Sequence, residues 1–361
     1  IQYAWGDQSE LGDNIAILAE AVYEGTMEQF LRGWFPEIKN YRPRVDSLRY
    51  YDGSTGVSSA FSNVDTSSTN AAINARKNPA LCNSDVVFMT AANNKAYKAY
   101  GATFTGWGGA NTIKEVKRHH DLGIRCSGAM WCLTAGAGLL HKDPKLREAC
   151  SRDIEGNPVE VPWLFDQTYK GTKSYFGCTN HPVYWELCRQ RVRQAMAGKA
   201  DGLHIDDYMG VASSAWFHGG GLCDHCIAMF REYLKQQATK EQLIAAGVED
   251  PDTFDYRNLI RKYAKTREEY MKVQNKIPLM DLFLEFHMKK VMEHVCELGE
   301  LAEEVAGHPV LLSVNGNPYH KPHSYLTKYV THFVCEVGQS ACAGTSKISE
   351  AVGSYKAAER L

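Results

Sequence analysis

Two adjacent carboxylates, Asp206 and Asp207, directly follow a short apolar segment of this 361-residue chain. In that segment Leu203 and Ile205 alternate with His204, which is the period of a buried strand with two distinct faces. A buried carboxylate is costly unless it is paired, and α/β barrels place their chemistry at the carboxyl ends of their strands. The pattern predicts a nucleophile or a general acid or base at this point. A capping or salt-bridged loop acid is the alternative.

The composition is that of an ordinary globular protein, with 44% hydrophobic and 23% charged residues. A net charge of -2 implies no polyanionic partner, so we expect no binding to nucleic acid. No apolar run reaches the ~18 residues that would span a bilayer, so we expect no membrane partner. The chain has no phosphate-binding glycine loop and no Gly-x-Ser-x-Gly elbow. A nucleotide cofactor is therefore not expected, and the oligomeric state is left open.

The chain begins at Ile1 rather than Met, which a cleaved signal peptide or a trimmed chain would explain. Its 11 cysteines are an odd number, so they cannot all pair within the chain. In a chain of this length they are not a disulfide scaffold. These observations leave the compartment open, with a secreted or periplasmic location favoured over a cytoplasmic one.

Strand and helix signals alternate along the chain, which is typical of βα units and a parallel sheet. The predicted strands are 45–51, 85–90, 124–133, 203–206, 310–314 and 333–335. The predicted helices include 112–120, 182–196, 279–305 and 348–359. We predict a (β/α)8 TIM-type barrel over residues 1–361, with a helical insertion at 222–306 after the fourth strand. Only six βα units are evident, so the barrel is incomplete or irregular, or it has two further strands near the N-terminus.

Three short motifs in order support a resemblance to glycosidases. Asp201-Gly202-Leu203-His204-Ile205-Asp206 resembles the fourth-strand pattern of many glycoside hydrolase barrels. Cys178-Thr179-Asn180-His181-Pro182, followed by two aromatic residues, resembles the segment that precedes this strand in relatives of the family 42 β-galactosidases and in α-L-fucosidase-like barrels. Cys223-Asp224-His225-Cys226 is similar to the Cys-x-x-Cys segment that follows the strand. The resemblance covers roughly residues 110–235.

The resemblance implies an enzyme that cleaves glycosidic bonds of an oligo- or polysaccharide by a two-carboxylate, retaining mechanism. In such barrels the last Asp of the fourth strand is often the nucleophile, which selects Asp206. In barrels of the α-galactosidase type the acid/base lies at the end of the sixth strand, which selects Glu336. One carboxylate then acts at the anomeric carbon while the other protonates the leaving oxygen. Asp166 and Glu160 are competing candidates for the second acid.

Several polar and aromatic residues near predicted strand ends are candidates for binding the sugar. An aromatic ring stacks on the apolar face of a pyranose, and hydroxyl groups need hydrogen-bonding partners. The candidates are His204, Asp207, Trp131, Asn315, Tyr50, Asp52 and Trp163. A core position is the alternative for His204, and a tight Asn-Gly turn is the alternative for Asn315.

Cys223 and Cys226 have the spacing of metal ligands, and thiolates suit zinc. One Cys-x-x-Cys supplies only two ligands, so the others would come from His225, His218, Cys178 or elsewhere. A disulfide or two free thiols are the alternatives to a structural zinc. No cofactor is expected to be required for the reaction itself.

Two other functional classes stay open. A carbohydrate-binding or catalytically silent barrel would have aromatic residues in its cleft but no second carboxylate near Asp206. A metal-dependent hydrolase would use His204, Asp206 and Asp207 as ligands, although no second histidine cluster follows a predicted strand. The identity of the sugar and the linkage is not predicted.

Overall fold

The structure is a computed structural model that describes residues 80–81, 85–130, 132–134, 144–164, 174–316, 326 and 329–334. The strands in this part are β1 (Val87–Phe88), β2 (Phe104–Thr105), β3 (Arg125–Met130), β4 (Gly202–Ile205), β5 (Leu311–Asn315) and β6 (His332–Val334). The helices are α1 (Asn94–Tyr100), α2 (Ile113–His120), α3 (Pro144–Glu148), α4 (Pro182–Ala195), α5 (Val211–Phe217), α6 (Asp224–Gln237), α7 (Lys240–Ala245), α8 (Tyr256–Ile260), α9 (Arg267–Val273) and α10 (Met280–Ala306). Single 3₁₀ turns lie at Pro162–Leu164 and Gln274–Lys276.

The six described strands form one sheet in the order β1-β2-β3-β4-β5-β6. The pairs β1–β2, β2–β3 and β5–β6 are parallel. In a doubly wound sheet the strand order reverses at a switch point. In a barrel, each strand lies next to the strand that follows it in the sequence. The α/β class is confirmed, and the sheet is consistent with an incomplete TIM-type barrel. β2 was not predicted, and the strand predicted at 45–51 lies outside the described residues.

The described residues fall into two compact units. Unit 1 takes its residues from 1–128, 197–204 and 306–361, and unit 2 takes its residues from 129–196 and 205–305. In unit 1, the sheet curls toward one of its faces. On that face, side chains from strands that are not neighbours in the sheet touch one another. Val87, Phe104 and Leu311, from β1, β2 and β5, form one apolar cluster. The rings of Phe104 and His332 lie 5.8 Å apart across the same face.

The opposite face of the sheet in unit 1 packs against helices. Phe88, Tyr97 and Ile124 form its apolar cluster. The Tyr97 hydroxyl lies 3.1 Å from Thr105 Oγ1 and 2.9 Å from His119 Nε2, so the polar tip of this buried ring is satisfied. The helix predicted at 112–120 is confirmed as α2, which begins at a capping box.

Unit 2 is mainly helical in its described part. Helices α6 to α10 share an apolar core whose largest members are aromatic: Phe230, Tyr256, Tyr270, Phe283 and Phe286. The helices predicted at 182–196 and 279–305 are confirmed as α4 and α10. The segment 222–306 is helical as expected, and its origin as an insertion in the barrel stays a prediction. Within the described residues, no helix is long and apolar enough to cross a membrane.

Candidate active site at the carboxyl end of β4

Asp206 and Asp207, the acid pair, directly follow the last residue of β4, as the sequence predicts. All four residues of β4 are buried, whereas Asp206 and Asp207 are half-buried. The main chain of Asp206 still pairs with the neighbouring strand segment: its N–H donates to Met130 O at 3.2 Å and its carbonyl accepts from Leu133 N–H at 3.0 Å. Asp206 Oδ1 accepts from the Asp207 N–H at 2.9 Å. The carboxyl group of Asp206 therefore sits on an anchored backbone.

Asp207 is held in a strained conformation by several donors. Its φ of 44° lies in the left-handed region, which costs a non-glycine residue energy. Its Oδ2 accepts from Trp163 Nε1–H at 3.0 Å and from the Cys132 thiol at 3.4 Å. Its carbonyl accepts from the Thr134 hydroxyl at 2.7 Å. These bonds fix the turn after β4, which favours a preorganised site over a mobile loop.

Trp163 is the predicted sugar-stacking residue that the structure brings to the acid pair. Its side chain is 45% exposed, and its indole N–H is engaged by Asp207. Its ring contacts Phe176 edge-on at 5.6 Å, and Phe176 in turn stacks on His218 at 5.2 Å. Burial, followed by the nearby Arg267 charge, lowers the pKa of His218. An exposed indole whose position is fixed by a carboxylate is suited to stacking on a sugar ring.

His204 occupies a buried position in unit 1. Its side chain is fully buried, its Nδ1 lies 2.9 Å from Ser313 Oγ, and its ring lies 4.5 Å from that of Trp107. Burial, followed by the neighbouring His332, lowers the pKa of His204 to about 3. The imidazole is therefore neutral at pH 7, so it offers a hydrogen-bonding group rather than a charge.

The remaining predicted residues divide between described and undescribed parts of the chain. Asn315 is the last residue of β5, is half-buried, and pairs with Val334 of β6. Glu160 forms an isolated antiparallel bridge with Tyr175. The other candidates lie outside the described residues: Glu336, Asp166, Trp131, Tyr50 and Asp52.

A third cysteine, Cys178, lies close to the predicted pair Cys223 and Cys226. Cys223 is the N-cap of α6 and Cys226 lies in its first turn, and both are buried. Cys178 Sγ lies 3.2 Å from Cys223 Sγ and 3.5 Å from Cys226 Sγ. Spacing along the chain did not single out Cys178 from the other possible ligands, because it lies 45 residues before Cys223. His218, another possible ligand, packs on Phe176 instead.

No protein-family model and no curated protein sequence matches the chain. Among solved structures, the chain is similar to TtGalA, an α-galactosidase from Thermus thermophilus solved in complex with p-nitrophenyl α-D-galactopyranoside. The identity is 15%, the TM-score is 0.28, and the match covers 61% of this chain and 33% of the α-galactosidase. The chain thus matches about a third of that structure, and at this TM-score the likeness carries no argument. The fold class is defined by the chain's own sheet: an α/β protein with sequentially ordered, parallel strands.

Proposed function

We propose that the protein hydrolyses glycosidic bonds of an oligo- or polysaccharide. The observation that carries this proposal is the anchored acid pair at the carboxyl end of β4, with an exposed tryptophan bonded to one of its members. Barrels place their reacting groups at this end of the strands. Carboxylates together with an indole face are the groups that glycoside cleavage and sugar binding use.

In this proposal Asp206 is the nucleophile. Its carboxylate attacks the anomeric carbon as the bond to the leaving oxygen breaks, and a second acid donates a proton to that oxygen. Water then cleaves the glycosyl ester and returns the Asp206 carboxylate, while the second acid takes up the proton of that water. Glu336 is the second acid predicted by the resemblance to α-galactosidase-type barrels. That role stays a prediction, since Glu336 lies outside the described residues.

Asp207 and Trp163 then bind the sugar rather than react with it. The carboxylate of Asp207 already accepts from the indole and from a thiol, so it positions the ring of Trp163. The exposed ring face of Trp163 supplies the apolar surface for the pyranose. The strain at Asp207 is consistent with a functional turn, since strained residues persist where their surroundings determine them strongly.

The metal-dependent alternative has less support among the described residues. Groups of possible metal ligands there are Cys178, Cys223 and Cys226 in unit 2, and His120, Cys126 and Asp201 in unit 1. Neither group contains Asp206 or Asp207. Glycoside hydrolysis is therefore the function that we propose for the acid pair.

A panel of aryl glycosides and oligosaccharides tests the proposal, with wild type, D206N and D206A compared. Asn at position 206 keeps an oxygen that accepts the Asp207 N–H, so D206N removes the charge without changing the shape. We expect wild type to cleave at least one substrate and D206N to lose about 10³-fold or more in kcat. Added azide is expected to restore turnover of D206A and to give a glycosyl azide, because the small anion fits where the carboxylate was.

Three results would contradict this function. Cleavage by D206N at the wild-type rate would remove Asp206 from the mechanism. Binding of oligosaccharides by wild type without any cleavage would favour a carbohydrate-binding barrel. Loss of cleavage on treatment with a chelator while the protein stays folded and keeps its zinc at the cysteines, with recovery on adding a divalent ion, would favour the metal-dependent hydrolase.

A further inference from the structure

Three buried cysteine sulfurs in unit 2 lie at nearly equal distances from one another. The Sγ separations are 3.2 Å for Cys178–Cys223, 3.5 Å for Cys178–Cys226 and 3.5 Å for Cys223–Cys226. Tetrahedral zinc with Zn–S bonds of about 2.3 Å places its sulfur ligands about 3.8 Å apart. The observed separations of 3.2 to 3.5 Å are thus somewhat shorter than those around a bound ion, and a small outward movement of the sulfurs would accommodate one.

The near equality of the three distances favours a single shared ligand over a covalent pair. A disulfide joins two sulfurs and would leave the third as a buried thiol beside it. None of the described cysteines forms a disulfide. A triangle of three thiols beside a helix start has the geometry of three corners of a tetrahedral site.

The start of α6 provides a favourable environment for thiolates. Cys223 is its N-cap and Cys226 is the third residue of the 14-residue helix. The free N–H groups of a helix N-terminus carry partial positive charge, which stabilises a thiolate. Asn180 Nδ2–H donates to Cys226 Sγ at 3.3 Å, and such bonds to a ligand sulfur orient it.

The three cysteines are buried, whereas reactive cysteines are partly exposed to solvent. Cys178 and Cys226 are fully buried, and burial raises the pKa of each. Hydrogen bonds with Cys178 and Cys226 lower the pKa of Cys223. A divalent cation bound by the three sulfurs would displace their protons.

A cavity lies beside Cys223, one of the three cysteines. Its volume is about 530 Å³, and its lining includes Cys223, His181 and His225. The imidazole rings of His181 and His225 lie 4.3 Å apart in this lining.

We propose that Cys178, Cys223 and Cys226 bind one structural Zn²⁺ as thiolates. Soft thiolate ligands and tetrahedral geometry select zinc over hard cations. Cys178 lies just before α4, and the other two ligands begin α6, so the ion would join the starts of these two helices. The site is separate from Asp206 in the chain and has no assigned part in hydrolysis. Its zinc content can therefore be measured whether or not the protein cleaves sugars.

Elemental analysis of the purified full chain, prepared without chelator, tests the site. We expect one zinc per chain in wild type and loss of most of it in C178S and in C226S. C188A is the matched control, because Cys188 is equally buried in the same unit but belongs to no ligand group among the described residues. H120A tests the other possible ligand group, and it should keep its zinc.

A second measurement covers the case in which C178S does not fold. Replacing zinc by cobalt in wild type should give the absorption bands of tetrahedral cobalt with strong thiolate-to-metal charge transfer. C178H should keep one ion per chain and show a weaker charge-transfer band. The proposal is overturned if wild type binds less than stoichiometric zinc after reduction and dialysis against zinc, or if it carries iron or copper instead. A disulfide between any two of these cysteines in freshly purified protein would also overturn it.

Discussion

Mild acid is expected to destabilise unit 2, in part through the buried histidine His294. His294 of α10 is 9% exposed, and its ring stacks on Trp185 of α4 at 4.2 Å. Its Nδ1 has no hydrogen-bond partner among the described residues. Burial, followed by the positive charge of Lys290, lowers the pKa of His294 from 6.5 to about 3. The folded protein therefore keeps this ring neutral well below the pH at which an exposed histidine takes up a proton.

The sign and the size of the effect follow from linkage. Between pH 6.5 and about 3 the unfolded chain binds a proton at this site and the folded chain does not. The stability that depends on neutral His294 is complete above pH 6.5 and is lost as the pH falls through this window. From pH 6.5 to pH 5 is about 1.5 pH units. At about 1.36 kcal/mol per unit, the free energy of unfolding falls by about 2 kcal/mol over this interval.

The variant H294F isolates this contribution, because phenylalanine keeps an aromatic ring against Trp185 but cannot take up a proton. Urea unfolding near pH 7.5 and near pH 5 gives the free energy of unfolding of each protein. Wild type should lose about 2 kcal/mol more than H294F between these conditions. Equal losses in the two proteins would show that His294 does not control the acid response, and the reasoning from burial would fail.

Three further substitutions test the packing directly. G177A would place a Cβ 2.0 Å from Tyr184 Cζ, so thermal denaturation should show a loss of about 3 kcal/mol, and an unchanged melting temperature would contradict this contact. S313A leaves His204 Nδ1 without its hydroxyl partner, and urea unfolding should show a cost of about 1–3 kcal/mol. T112A removes the side-chain cap of α2 and should lower the free energy of unfolding by about 1 kcal/mol. T112S keeps the hydroxyl group and should keep the stability. Equal losses in the two variants would exclude the cap as the cause.

Local hydrogen bonding explains which helices could be predicted from the sequence. In α2 the Thr112 hydroxyl accepts from Glu115 N–H, and the Glu115 carboxylate accepts from Thr112 N–H. Both bonds join residues three apart, so the sequence contains the whole signal. The helix α1 carries equivalent signals, with Asn93 as its N-cap and Gly101 in the left-handed region after it. The sequence nevertheless does not predict this helix, because Asn93 and Asn94 also fit a turn after the strand predicted at 85–90.

Strand prediction depends on partners that lie far along the chain. β2 has two residues, Phe104 and Thr105, too few to show alternation. It is a strand because Phe104 pairs with Val87 of β1 on one side and with Arg125 of β3 on the other. β1 is likewise shorter than the predicted 85–90, because pairing rather than apolar character sets its length.

The proposed zinc site is only partly predictable from the sequence. Cys223 and Cys226 are one helical turn apart, so their proximity follows from α6 alone. The third sulfur depends on where the chain before α4 packs, and no local rule distinguishes Cys178 from His218 or His225. The packing decides the matter: Phe176 takes His218 as its stacking partner, while two residues later Cys178 meets the start of α6. A spacing motif therefore identifies the rigid part of such a site, and the tertiary structure is needed to find the remaining ligand.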